Sequence, residues 1–228
     1  MEAEIIQIRL NDACLTAKVY SPPEPKGLVI VAEGEDCKQL KVENEHLFKA
    51  LRRKNIATLF TYLLDPPGEQ EYDIPFDIDV MSQHLQDVTE WIGGQRSMER
   101  MAIGYFAANT AAAAALKASV APGSRVKAIV SHCGRPDLSG PHLPLVKAAT
   151  MLITSSDNVY LTELNWQGYK GLTCEKELVT LQGGPRSFEK GRNARKITQM
   201  AADWFDRHLE LLPVKRKVGS FAMQVKLA

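Results

Sequence analysis

Two hydrophobic periods alternate along the chain. Positions 4–8 and 13–20 read as two short strands, with Asn11-Asp12 supplying the turn between them. The run Gly27-Leu28-Val29-Ile30-Val31-Ala32 is apolar without interruption, the pattern of a strand buried on both faces. A helix is predicted over 42–54, with Leu47, Phe48 and Leu51 turned inward. A strand is predicted over 56–63, closed by the breaker Asp65-Pro66-Pro67-Gly68. Within 77–92, Met81, Leu85, Val88 and Ile92 recur at helical spacing. Strand-like runs follow at 101–106, 126–131 and 150–154, with a weaker one at 178–181. Between the first two of these, 109–119 is rich in Ala and Leu and has high helix propensity. Ile197, Met200, Ala201, Trp204, Phe205, His208 and Leu209 mark a final amphipathic helix. Strands and helices alternate with short connections. The pattern therefore predicts an α/β protein with a mostly parallel central sheet and helices on both faces.

Composition narrows this picture without identifying it. At 228 residues, 45% hydrophobic and 24% charged, the chain suits one soluble domain with a sizeable core. Lys+Arg 28 against Asp+Glu 27 gives a net charge of +1, which argues against a general nucleic-acid binder. No apolar run reaches the roughly 18–20 residues of a membrane span. Glu2 and Glu4 stand where a secretory leader needs a basic start. Cys14, Cys37, Cys133 and Cys174 show no C-x-x-C spacing, so neither a zinc site nor a disulfide framework is expected. The expectation is a cytoplasmic protein without metal or cofactor.

Chemistry enters at Ile103-Gly104-Tyr105-Phe106-Ala107-Ala108-Asn109-Thr110-Ala111-Ala112, a strand that runs straight into an alanine-rich helix. Here the sequence resembles the dienelactone-hydrolase-like branch of the α/β-hydrolase family, in which a strand leads through G-x-S-x-G into such a helix. The resemblance extends from about Gly27 to His208. It takes in Val31-Ala32-Glu33-Gly34, where members commonly carry an apolar pair followed by His-Gly. It also takes in Ser131-His132-Cys133-Gly134-Arg135-Pro136-Asp137-Leu138, then Thr154-Ser155-Ser156-Asp157, and Trp204-Phe205-x-x-His208-Leu209. It implies an α/β-hydrolase fold over 1–212, followed by 213–228 as a basic tail or edge strand.

The same resemblance implies that the triad is degenerate. Asn109 stands at the nucleophile position, and alanines replace both elbow glycines. An amide nitrogen is delocalised into its carbonyl, so Asn109 cannot form an acyl-enzyme. Asp157 matches the triad acid. Arg186, in Gly183-Gly184-Pro185-Arg186-Ser187-Phe188, takes the place of the histidine. A guanidinium stays protonated and offers no acceptor, so it cannot act as a general base. An Asp157–Arg186 ion pair is implied instead.

Several readings stay open at this level. Asn109 is either a plain helix N-cap or a ligand-binding amide, and its tolerance of positive φ would let it hold an elbow. Arg186 either pairs with Asp157 or anchors an anion together with Asn109. Glu33, Glu35 and Asp36 cluster where hydrolases shape the oxyanion hole, and acids there would repel an oxyanion. His132 and Cys133, adjacent on a strand, point to opposite faces and make a poor dyad. Glu33, Gly34, Asn109, Thr110, Cys133, Asp157 and Arg186 are the pocket candidates. Four of the 28 basic residues lie in the acid-free stretch 213–228, where Phe221, Met223, Val225 and Leu227 alternate. That stretch could be an edge strand, pair with a partner chain in a homo-oligomer, or stay disordered. The expectation is a catalytically inactive homologue acting in ligand binding or protein assembly, with an unidentified small molecule or protein as partner. The alternative is a hydrolase or lyase of altered mechanism that uses Asp157, Glu33 or Cys133.

Overall fold

The structure, a computed structural model, describes residues 3–34, 41–64, 77–183 and 192–212. Its strands are β1 (Glu4–Arg9), β2 (Cys14–Tyr20), β3 (Gly27–Glu33), β4 (Ile56–Tyr62), β5 (Ala102–Ala108), β6 (Val126–His132), β7 (Ala149–Ser155) and β8 (Lys176–Leu181). They form one eight-stranded sheet in the order β1-β2-β4-β3-β5-β6-β7-β8. β1 and β2 make the hairpin expected around Asn11-Asp12, and β2 also runs antiparallel to β4. Every other pairing is parallel.

Helices cover both faces of this sheet. They are α1 (Lys41–Arg53), α2 (Ile78–Gly94), α3 (Asn109–Ala118), α4 (Val159–Gly171) and α5 (Arg192–His208), with a kinked 3-10 segment at Pro136–Leu145. Strand alternation decides what each helix meets. In β3, Leu28, Ile30 and Ala32 face the core shared with α2 and α3. Val29 and Val31 face the opposite core, which holds Leu47 and Leu51 of α1 with Trp204 and Phe205 of α5. β3 is buried along all seven residues, as its unbroken apolar run requires. Asp77 starts α2 by accepting hydrogen bonds from the N–H groups of Asp79 and Val80 at 2.9 and 3.1 Å.

α4 and the 3-10 segment were not expected from the hydrophobic pattern. The pattern in α4 is inverted. Asn165 and Gly168 are its buried residues, while Val159 is 78% and Tyr160 70% exposed. A search for an apolar stripe passes over such a helix. In the 3-10 segment, Pro141 and Pro144 break any helical period.

No helix among the described residues is long and apolar enough to cross a membrane. The tail 213–228, the acids Glu35 and Asp36, and Arg186 lie outside the described residues.

Candidate functional site

Because β3, β5, β6, β7 and β8 are parallel, their carboxyl ends open on one edge of the sheet, where α/β folds place ligands. Read across that edge, the chain sets Glu33, Asn109, Cys133, Asp157 and Gly183 at successive strand ends, roughly 4.8 Å apart per strand. Of the seven pocket candidates, Arg186 falls outside the described residues, as do the acids Glu35 and Asp36 that cluster with Glu33 in the sequence.

Asn109 is the first residue of α3 and has φ 50°. Ala108 before it is extended, occupies the N-cap position and contributes no side-chain bond. The plain N-cap reading of Asn109 is therefore corrected. The chain turns from strand to helix through one left-handed residue, and asparagine is among the few non-glycine types that bear this cheaply. Its side chain is exposed, and its carbonyl accepts a hydrogen bond from the Arg135 N–H at 3.1 Å. Ala107 and Ala111 are both buried, so the strand–helix approach leaves room for a methyl group at each. Thr110 is half-buried in the first turn of α3.

A second left-handed turn stands beside the first. Cys133, directly after β6, has φ 46°, and its N–H donates to Ile153 O at 2.8 Å. Ala108 faces His132 in register, so the two turns leave adjacent strands together. The next residue explains how the return loop fits. A Cβ on Gly134 would lie 2.1 Å from Ser131 Oγ and 2.5 Å from Ala112 Cβ, so only glycine lets the loop pass α3. Asn165 Nδ2 donates to Gly134 O at 3.0 Å and to Leu161 O at 2.9 Å, pinning α4 to this floor. Sequence reasoning gave Asn165 no role, because a buried asparagine in an unrecognised helix carries no periodic signal. Arg135 forms a bidentate pair with Asp137 at 2.8–3.2 Å, which raises its pKa and engages its guanidinium.

Asp157 is exposed and tied to the segment after β8. Its Oδ1 accepts from the Gly183 N–H at 3.2 Å and from Ser156 Oγ at 3.3 Å. Ser155 Oγ accepts from the Asp157 N–H at 3.2 Å and donates to Gly183 O at 2.5 Å. Glu33 is 7% exposed at the end of β3, and its carbonyl accepts from the Leu63 N–H at 2.7 Å. Gly34 follows it, half-buried. Among the described residues, no group of three or more His, Cys, Asp or Glu is placed to hold a metal ion.

His132 is buried behind this edge with its ring 6.4 Å from that of Phe106. Burial pushes its pKa down from 6.5 to about 4, so it is neutral near pH 7. The unfolded chain takes up this proton near pH 6.5 and the folded chain only near 4. Stability is therefore full above 6.5 and falls on acidification across that window, by about 3 kcal/mol. Urea titrations between pH 7 and 4 should show that slope, and His132→Gln should flatten it. An unchanged slope in the variant would assign the acid sensitivity elsewhere.

An amide at the elbow, a hydroxyl at Thr110 and a carboxylate at Asp157 can hydrogen-bond a ligand.

No family model matches the sequence. A dienelactone hydrolase from Anabaena variabilis superposes on 92% of this chain and 99% of its own, with TM-score 0.84 and 27% identity. The chain has the α/β-hydrolase fold and resembles this dienelactone hydrolase over nearly its whole length. An α/β serine hydrolase without a lid, from Xanthomonas campestris, matches this hydrolase homologue at TM-score 0.69 and 14% identity, over 90% and 94% of the two chains. That second likeness is one of fold. Two Mycobacterium tuberculosis sequences, both phosphoribosyl transferases by name, are 32% identical to the homologue over 206 residues. The match covers 90% of this chain and 46% of theirs, so the chain spans about half the length of these curated relatives.

Proposed function

We propose that this chain is a non-catalytic member of its family, kept as a ligand-binding or assembly protein. Asn109 carries the reading. The left-handed backbone of the elbow persists at φ 50°, while the side chain it presents is an amide with no usable lone pair on nitrogen. Arg186 at the histidine position adds to this, since a guanidinium cannot accept the nucleophile's proton. On this reading the exposed amide of Asn109 meets the ligand. The purified protein should resist a fluorophosphonate probe and hydrolyse p-nitrophenyl acetate no faster than a heat-treated control. Stoichiometric labelling or saturable turnover would falsify the proposal.

A second reading has one observation in its favour. Cys133 stands on a left-handed turn beside the elbow, which directs attention to its thiol as a relocated nucleophile. In that case the chain is a hydrolase or lyase of altered mechanism, with Asp157 or Glu33 as acid or base. Ester turnover lost on Cys133→Ala would support it.

The transferase name of the mycobacterial relatives does not suit this site. Transfer from a phosphoribosyl donor needs cationic groups around a pyrophosphate, and the strand ends here carry Glu33 and Asp157.

A further inference from the structure

The helical layer on one face of the sheet stops short of the first hairpin. Alternation in β2 sends Leu15, Ala17 and Val19 into the core under α2, while Thr16, Lys18 and Tyr20 face the other side. On that side α1 lies over β4 and reaches only Tyr20 at the end of β2, and among the described residues no helix covers the exposed Thr16 and Lys18. The step between α1 and the bare hairpin forms a groove of about 260 Å³.

Its lining is amphipathic. Ile56 and Thr58, each 1% exposed, make the floor. The rings of Tyr20 and Phe48 form a wall, with centroids 4.7 Å apart and planes tilted by 30°. Lys49 and Arg52 stand on the rim one turn apart on α1. Glu45 takes up Lys49 in an i,i+4 pair at 3.6 Å. Arg52 has no ion-pair partner among the described residues, which leaves its charge for something else. The groove sits at the amino end of β4 and shares no residue with the carboxyl edge where Asn109 lies.

We propose that this groove binds a small aryl carboxylate. Aromatic walls favour a flat apolar group, through area burial and ring–ring contact. The unpaired guanidinium on the rim matches a carboxylate, which it can hold with two parallel hydrogen bonds. The volume is slightly below the roughly 300 Å³ at which drug-sized pockets begin, so one or two fused rings suit it.

The test is a titration of the full-length ¹⁵N-labelled protein with 2-naphthoate, beside its neutral near-isostere 2-naphthamide. Saturable shifts should centre on the Tyr20, Arg52 and Thr58 amides, and the amide ligand should bind about tenfold more weakly. Arg52→Gln should abolish the difference between the ligands, and Phe48→Leu should weaken both. Arg52 is exposed and Phe48 only half-buried, and unchanged spectra of the unliganded variants would verify their folding. Equal affinity for the two ligands, indifference to Arg52→Gln, or no saturation by roughly 10 mM would each overturn the assignment. Shifts centred on Asn109 and Asp157 would also overturn it, while supporting the carboxyl edge as the ligand site.

Discussion

Asn109→Ser combined with Arg186→His is expected to leave aryl-ester turnover within about 100-fold of the uncatalysed rate. Dismantling a working triad costs about 10⁶-fold, so a scaffold lacking only those two groups would recover far more. The elbow is not the obstacle, since Asn109 already holds φ 50° and Ser would inherit that backbone at a cost of roughly 1 kcal/mol. The obstacle is electrostatic. The neighbouring strand end carries Glu33, 7% exposed, and two further acids follow it at 35 and 36. Acyl transfer needs donors aimed at the developing oxyanion, and a carboxylate nearby raises the energy of that charge. Adding Glu33→Gln to the double variant should therefore gain a further ~10- to 1,000-fold in p-nitrophenyl acetate hydrolysis. A rise of ~10⁴-fold from Asn109→Ser/Arg186→His alone would mean that two substitutions suffice, and the electrostatic account would fail.

Phe205→Ala is expected to destabilise the protein by about 3–5 kcal/mol, lowering Tm by roughly 6–20 °C. Phe205 is fully buried in the core between α5 and the sheet, and its ring occupies the space that a side chain on Gly104 would need. A Cβ on Gly104 would lie 2.6 and 2.7 Å from two ring carbons, so Gly104→Ala alone should cost about 1–3 kcal/mol. In the double variant the clash disappears, and the new methyl fills part of the cavity left by the ring. The combined loss in a urea titration should then be smaller than the sum by about 1–3 kcal/mol. Additivity within about 0.5 kcal/mol would show that helix and strand do not meet at this contact.

How much could be read without coordinates depended on whether a segment's burial followed its period. Met81, Leu85, Val88 and Ile92 are fully buried, as their helical spacing predicts, and β3 is buried throughout, as its unbroken run predicts. α4 was missed because it is held by the amide of Asn165 and the close passage of Gly168, with its large side chains facing outward. At the elbow, the residue types alone left Asn109 between a cap and a presented amide. The turn geometry separated them, because Ala108 takes the cap position. The left-handed turn at Cys133 had no signal, since cysteine is not a residue that favours positive φ.

Sequence by itself determined which residues are buried in the elements with a regular apolar period, β3 and α2 among them, because periodicity is local and each side chain's face follows from its position in the period. It also put an amide at 109 and a guanidinium at 186, the residue types on which the proposed loss of catalysis rests. Only the tertiary structure decided which strand ends are neighbours. Lateral order in a parallel sheet is set by long-range pairing and crossover connections. That order brings Glu33 of β3 beside Asn109 after β5, and Cys133 after β6 beside Asn109 on its other side, across intervals of about 24 to 76 residues that no local pattern spans. The same long-range packing set α1 against the end of β2, and so made the groove that Tyr20 and Phe48 wall.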